Sequence, residues 1–495
     1  MHVIMWLVCC MTSGIVMAQG YFEVTPQIED AYEKVSQLRF EEGRAVIANI
    51  KNTDPDNKLV YLVENYIDFF TIFINEEKEE FDRLVENKDK RLAEIDKGDR
   101  DSPYFLFAKA EINLQWATAR LKFGETYTPL TEVYRAYKFL EHNEKDHPDF
   151  IENKKSLSII HALSESIPGA VRFIMRVRGS IEQGTAEIEE VVDHSKRNPF
   201  LFREESYAIY SYILFFQNNK KEEAFDLLFN ADIDHTVSPL MCFLKANIAQ
   251  KNGHNELAMK ILEERPKSSA YFDFPYLDLM YGKYKLYKLD EDADEYIHKF
   301  LDRFEGRHFV KEAYQKLAWY ELAQNEDITA YKKYMELCQN EGHALVDEDK
   351  QALRESETKL IPNPTLLKAR LLFDGGYYSS AYALLVRKAY LFPIENEDQL
   401  EFNYRMGRVT HELGNYPEAI EYYNITMQQG RDQRSFMACN AALQIGLILE
   451  GQQKYRQAKQ YYNRCLEISP NRYKSSLHQK AKSGMERVEQ VESRM

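Results

Sequence analysis

Between Cys439 and Pro470 the chain spaces small and aromatic residues in a pattern that few folds can accommodate. Ile445 and Gly446, Leu449, Tyr455, Ala458, Tyr462 and Pro470 stand at offsets suited to two antiparallel helices in tight contact, the second ended by proline. The pattern recurs upstream. Ala419 keeps Met406, Gly407, Gly414, Tyr416 and Tyr423 in register, and Ala381 keeps Ala369, Leu372, Gly376, Tyr378 and Leu385. Ala381, Ala419 and Ala458 lie 38 and 39 residues apart, which leaves room for longer loops than a minimal hairpin repeat of about 34 residues needs. Fainter copies surround Ala330, Ala258 and Ala224, while Tyr276 to Leu301 fits only when shifted by one residue. Gly or Ala at the eighth and twentieth positions lets two helices approach closely, and the ring at the twenty-fourth fills the wedge toward the next pair.

The rest of the chain repeats apolar residues every three or four positions, with almost no alternation of the strand kind, so an all-α array of hairpins is expected. Thr25-Pro26 reads as a cap followed by proline at the first helical position. Leu59 to Ile74 reads as a largely buried helix, interrupted at helical spacing by Glu64 and Asp68. Before residue 200 the repeat phase is lost, and the best helical hairpin is expected at Phe105 to Phe123 around Trp116. Ile361-Pro362-Asn363-Pro364 is the expected internal joint. The last helix, from about Lys474, has Leu477, Ala481, Met485 and Val488 on one face and charges on the other, as a solvating cap requires.

A chain of 495 residues would ordinarily make about three domains, but a stack in which each repeat touches only its neighbours can run on as one body. The net charge of −15, with the two signs interleaved, provides no concentrated basic face for nucleic acid. Val3 to Val16 is an apolar run followed by Val16-Met17-Ala18, which reads as a secretory signal cut before Gln19, and the mature protein is expected to be periplasmic or secreted with no integral membrane segment. Its n-region lacks Lys and Arg. Removal of that segment leaves Cys242, Cys338, Cys439 and Cys465, too few for a disulfide framework. Cys439 and Cys465 sit level on facing helices. Axes about 8–10 Å apart exceed the roughly 7 Å between Cα atoms that a bridge tolerates, so two small buried thiols are expected.

Motifs that carry chemistry are missing: there is no Gly-rich phosphate loop, no G-x-S-x-G elbow and no H-E-x-x-H pair. Asp290-Glu291-Asp292-Ala293-Asp294 opens like a calcium loop but lacks the glycine and the closing glutamate, and reads as a solvated turn. Asp232, Asp234 and His235, and His142 with Asp146 and His147, read as surface loops rather than cation ligands. Arg172, Arg176 and Arg178 read as salt-bridging residues and Tyr377-Tyr378 as part of a repeat turn. No catalytic, cofactor or metal site is assigned.

On the residues of Phe402 to Arg431 and Cys439 to Pro470, with a fair unit at Asn363 to Tyr390, the chain resembles the tetratricopeptide repeat superfamily of the exported bacterial type. The resemblance implies a right-handed alpha-alpha superhelix whose concave groove, lined mostly by first helices, receives a protein or peptide segment. It places Asn403, Arg405, Thr410, Asn440 and Gln444 at exposed groove positions, as candidates to hold an extended backbone or a terminal carboxylate. The implied function is a non-catalytic scaffold of the bacterial envelope. Two alternatives stay open: a glycan or small-molecule binder of nutrient uptake, which the abundance of Tyr suits, and an enzyme with its site in the N-terminal region. The expected organisation is a signal at 1–18, helical hairpins at 19–200, degenerate repeats at 201–360, three clearer repeats at 361–473 and a capping helix at 474–495.

Overall fold

The computed structural model describes residues 19–164, 177–358, 360–393 and 397–493, and they are helical throughout. Among the described residues extended pairing is confined to two isolated bridges, Gly20 with Gly98 and Tyr21 with Asn57. The signal segment 1–18, Arg172 and Arg176 lie outside the described residues. The chain forms two compact units. The first comprises 1–241 with 266–273, and the second 242–265 with 274–495, so the division falls inside the segment expected to hold degenerate repeats.

In the first unit α1 (Pro26–Ser36), α2 (Phe40–Thr53) and α3 (Val60–Asn75) precede two short helices, α4 (Lys78–Leu84) and α5 (Asn87–Ile95). Then follow α6 (Pro103–Lys122), α7 (Tyr127–Asp146), α8 (Glu152–Ser164), α9 (Ile181–Ser195), α10 (Arg203–Tyr212) and α11 (Lys221–Phe229). Thr25 caps α1 as expected, its hydroxyl accepting from the Ile28 amide at 3.3 Å. The apolar run at 59–74 is the buried helix α3, whose Asp68 is paired with Arg91 of α5 at 2.6 Å. The hairpin expected at Phe105 to Phe123 is instead one continuous helix, α6, which pairs with α7. Nothing in 105–122 breaks a helix, and Trp116 is no turn residue: it is buried and donates from Nε1 to Asn65 Oδ1 at 3.0 Å.

The chain enters the second unit within α12 (Pro239–Lys251) and continues through α13 (Asn255–Glu263), α14 (Tyr276–Lys288), α15 (Ala293–Leu301), α16 (Val310–Tyr320) and α17 (Ile328–Asn340). A helix outside the hairpin pattern, α18 (Asp347–Glu357), packs on α16 and α17. The clear hairpins are α19 (Pro364–Asp374) with α20 (Tyr378–Lys388), α21 (Gln399–Glu412) with α22 (Tyr416–Gly430), and α23 (Phe436–Gly451) with α24 (Tyr455–Glu467), closed by α25 (Lys474–Glu492). Ala381, Ala419 and Ala458 are completely buried. Cβ atoms at Gly407 and Gly446 would lie 2.7 and 2.5 Å from the rings of Tyr423 and Tyr462, so each first helix rests directly on the aromatic residue of its partner. Tyr462 also fills the wedge to the next element, because a Cβ at Gly484 of α25 would lie 2.5 Å from its ring. Gly282 and Ala293 play the small-residue parts in the shifted hairpin of α14 and α15. Asn363 caps α19, accepting from the Thr365 amide at 3.0 Å, with Pro364 at the first helical position.

Not every contact follows simple stacking. The turns at Gly253 and Gly376, with φ of +81° and +79°, meet backbone to backbone, and a Cβ on Gly376 would collide with the Gly253 carbonyl. Beside them the Tyr377 hydroxyl lies 3.0 Å from Glu256 Oε1 and accepts from Asn255 Nδ2 at 3.0 Å. Tyr377 is therefore more than a repeat-turn residue. It fastens the α19–α20 turn to the α12–α13 turn of the same unit.

Candidate functional site

The faces of α19, α21 and α23 are set by one hundred degrees of rotation per residue. On α21, Asn403, Gly407 and Thr410 form an i, i+4, i+7 stripe, and Gly407 is the residue pressed against Tyr423. That stripe faces the second helix. Asn403 is accordingly only 5% exposed and donates to Gln429 Oε1 of α22 at 3.1 Å. Thr410 is fully buried, its hydroxyl turned back onto the Met406 carbonyl at 2.7 Å. The expectation that these two are exposed groove residues is corrected: both belong to the inside of the hairpin.

The other three expected positions share a different face. Arg405 is half-buried and paired within its own helix to Glu401, through Nε at 2.7 Å. Asn440 of α23 donates to the Tyr404 hydroxyl of α21 at 2.6 Å, and Gln444 donates to Asn440 Oδ1 at 3.2 Å. Tyr404 thus joins neighbouring first helices, and the polar chain continues from it in the opposite direction. Arg408 Nη1 donates to the Tyr404 hydroxyl at 3.3 Å, and its guanidinium carbon stands 4.7 Å over the ring of Phe373 on α19. Phe373, Arg408, Tyr404, Asn440 and Gln444 form a strip across three first helices, bordered by Leu447, which is 37% exposed.

Arg408 is the residue that the sequence reading missed. The signal was present: it follows Gly407, the small packing residue, and lies four residues after Tyr404 and three after Arg405. The same position after the small residue is held by Lys283 after Gly282, Trp319 after Ala318, Arg370 after Ala369 and Leu447 after Gly446. These residues find different partners. Lys283 is paired with Glu312 at 2.7 Å. Trp319 lies between Lys316 Nζ at 3.8 Å and the Arg370 guanidinium carbon at 4.2 Å. Arg370 has Glu355 at 3.7 Å and Asp374 at 3.8 Å. Arg408 makes no ion pair among the described residues, although Glu412 one turn further on supplies a favourable charge, and its buried Nε has no hydrogen-bond acceptor. Its neighbour His411 does not add charge, since burial and the nearby guanidinium lower its pKa to about 4.

Around Glu312 the charges are mutually compensated. Burial pushes this carboxyl up, but Lys283 and Lys316 outweigh that and hold it below the ordinary carboxylate range. Burial brings the Lys316 ammonium down to about 8. In the first unit Lys155 is buried between Glu111 and Glu205, at 2.8 Å from each. Glu205 also accepts from the hydroxyls of Tyr66 at 2.8 Å and Tyr32 at 3.1 Å. This cluster ties α1, α3, α6, α8 and α10 together and spends its polar groups on one another.

Of the remaining sequence candidates, Asp290 and Asp292 both pair with Lys285, at 3.4 and 3.0 Å. Asp234 accepts from the Thr236 amide at 2.8 Å, and His142 stands 3.4 Å from Asp146. Among the described residues no three His, Cys, Asp or Glu side chains are grouped to hold a metal ion, and no helix is long and apolar enough to cross a membrane.

Residues 398–471 match the tetratricopeptide repeat family, a span covering the two hairpins that carry most of the strip. None of the curated proteins matches the chain. Among solved structures, human IFIT1 in a dimer with m7Gppp-AAAA is 14% identical over 90% of this chain and 96% of that one, with a TM-score of 0.31. The Cut9–Hcn1 hetero-tetramer of the APC/C gives 11% identity over 94% and 96%, with a TM-score of 0.25. Scores this low carry no argument about ligands or whole-chain shape. The family match and the helical hairpins agree on the architecture: an all-α tetratricopeptide-like array, of a type that generally serves protein interaction.

Proposed function

We propose that this chain is a non-catalytic scaffold of the bacterial envelope, exported by its N-terminal signal, which holds a segment of a partner protein along the strip on α19, α21 and α23. The observation that carries the reading is Arg408. Its Nε is buried without an acceptor, and Glu412 one turn further on steadies the charge without forming an ion pair with it, so the guanidinium keeps a donor that a ligand can complete. Asn440 and Gln444, half-buried and aligned by their bonds to the buried Tyr404 and to each other, present amide groups that an extended backbone can join. A cut before Gln19 would suit the first unit, because Gly20 is fixed by its amide to the Lys97 carbonyl at 3.2 Å and by the Asp99 amide to its own carbonyl at 2.6 Å.

Glycan binding has less behind it. The exposed ring pair Tyr212 and Phe216 is tilted by 38°, so it does not offer the parallel faces that stack on sugar rings.

The test is capture from envelope extract by the mature protein carrying a photo-crosslinking residue at position 447, beside the strip, or at 463, an exposed position on α24. A partner should crosslink from 447 and not from 463, and Arg408→Ala with Asn440→Ala should abolish it. Crosslinking from 463 alone, or capture unaffected by the double variant, contradicts the assignment.

A further inference from the structure

The second unit holds four cysteines, all reduced and buried, and two of them stand apart from the rest. Cys242 donates to the Ile261 carbonyl, and burial raises its thiol to about 12; burial likewise raises Cys338 to about 11. Cys439 and Cys465 face each other across α23 and α24 with their sulfurs 3.5 Å apart. Both lie at the same end of the hairpin, Cys439 in the first turn of α23 and Cys465 in the last turn of α24. Only a short approach separates this pair from bonding, although the ordinary spacing of helix axes argues against a bridge. Small neighbours make the closeness possible: Ala438, Ala441 and Ala442 on α23 and Ala458 on α24 are all completely buried.

We infer that Cys439 and Cys465 are a covalent modification site, an intrahairpin disulfide formed by exchange with a small-molecule disulfide such as oxidised glutathione. The first step is attack by the Cys439 thiolate on one sulfur of that disulfide. It joins half of the reagent to Cys439 and expels the other half as a thiolate, which takes up a proton. The Cys465 thiolate then attacks the Cys439 sulfur, forms the internal bond and releases the second half as a thiol. Two protein thiols are oxidised and one external disulfide is reduced to two thiols. Cys439 is the attacking partner for two reasons. It lies in the first turn of its helix, where a thiolate is better tolerated than in the last turn that holds Cys465, and the contact between the two sulfurs holds Cys439 below the usual thiol range and Cys465 above it, although the Cys439 thiol also lies 3.4 Å from the Cys465 carbonyl. Access is from the hairpin end, past the connections 431–435 and 468–473 and the start of α25, whose Leu477 carbonyl lies 3.9 Å from the Cys465 sulfur. The inference stands independently of the strip and of any partner.

The test uses the full chain equilibrated in oxidised and in reduced glutathione, then acid-quenched, denatured, alkylated with N-ethylmaleimide and mapped by mass. Oxidation should yield a peptide pair joined through residues 439 and 465, lighter by two hydrogens than its reduced parts. Cys242 and Cys338 should be alkylated in full. In Cys465→Ser the bridge cannot close, and Cys439 should retain the glutathionyl group. The oxidised protein should unfold about 5 °C higher than the reduced one, a shift absent from Cys465→Ser. Equal alkylation of all four cysteines after oxidation overturns the inference, as does a glutathionyl group on either residue of the native chain without the cross-link. Neither result depends on whether a variant folds.

Discussion

At the scale of single residues, two kinds of side chain decide this molecule: those that let helices meet and those left over for a partner. Ala458 is of the first kind, and Ala458→Leu should destabilise the last hairpin by about 1–3 kcal/mol in chemical denaturation, because no space remains to receive the added carbons. Arg408 is of the second kind. Arg408→Met should leave the denaturation midpoint unchanged or raised while partner capture falls at least tenfold, the pattern of a residue kept for binding at some cost in stability. Asp349 of α18 accepts from the Phe309 and Glu312 amides at 2.6 and 3.0 Å, and burial raises its carboxyl to about 6 despite those bonds. A carboxyl whose pKa is higher folded than unfolded favours the fold while protonated and loses that advantage as pH rises from about 4 past 6. A shift of this size corresponds to about 3 kcal/mol. Denaturation midpoints measured from pH 4 to 7 should therefore fall more steeply for the native chain than for Asp349→Asn, and parallel curves would refute the assignment.

At the scale of elements, what the sequence made legible was the contact between paired helices. Gly407, Gly446, Ala419 and Ala458 declare themselves by spacing alone, and each lies where two helices touch. Faces were harder to read. Polar Asn403 and Thr410 looked available, yet their rotation by i+4 and i+7 along the Gly407 stripe commits them to the hairpin interior, and an unbroken α6 looked like two helices because Trp116 attracted notice as a packing centre. The strip went unnoticed because its members come from three helices and only two of the residues first singled out, Asn440 and Gln444, belong to it. No periodicity announces the contact of the Gly253 and Gly376 turns, which joins segments more than a hundred residues apart. Gly376→Ala should cost about 1–3 kcal/mol, since the new side chain must both hold a positive φ and displace the Gly253 carbonyl. Loss of hydrogen-exchange protection in 252–256 as well as in 374–378 would show that the two turns open together.

At the scale of the whole molecule, each unit is a set of helices stacked by small residues and tied by buried ion pairs, with Lys155 between two glutamates in the first and Glu312 between two lysines in the second. Most of these charges are answered inside the protein. Arg408 on α21, which makes no ion pair and keeps a donor without an acceptor, marks a polar strip on the first helices of the second unit. The most direct measurement is hydrogen exchange on the full chain with and without its captured partner. The strip predicts new protection in peptides covering 401–412 and 436–447, with 455–467 unchanged. Protection confined to 455–467 or to the first unit would contradict it.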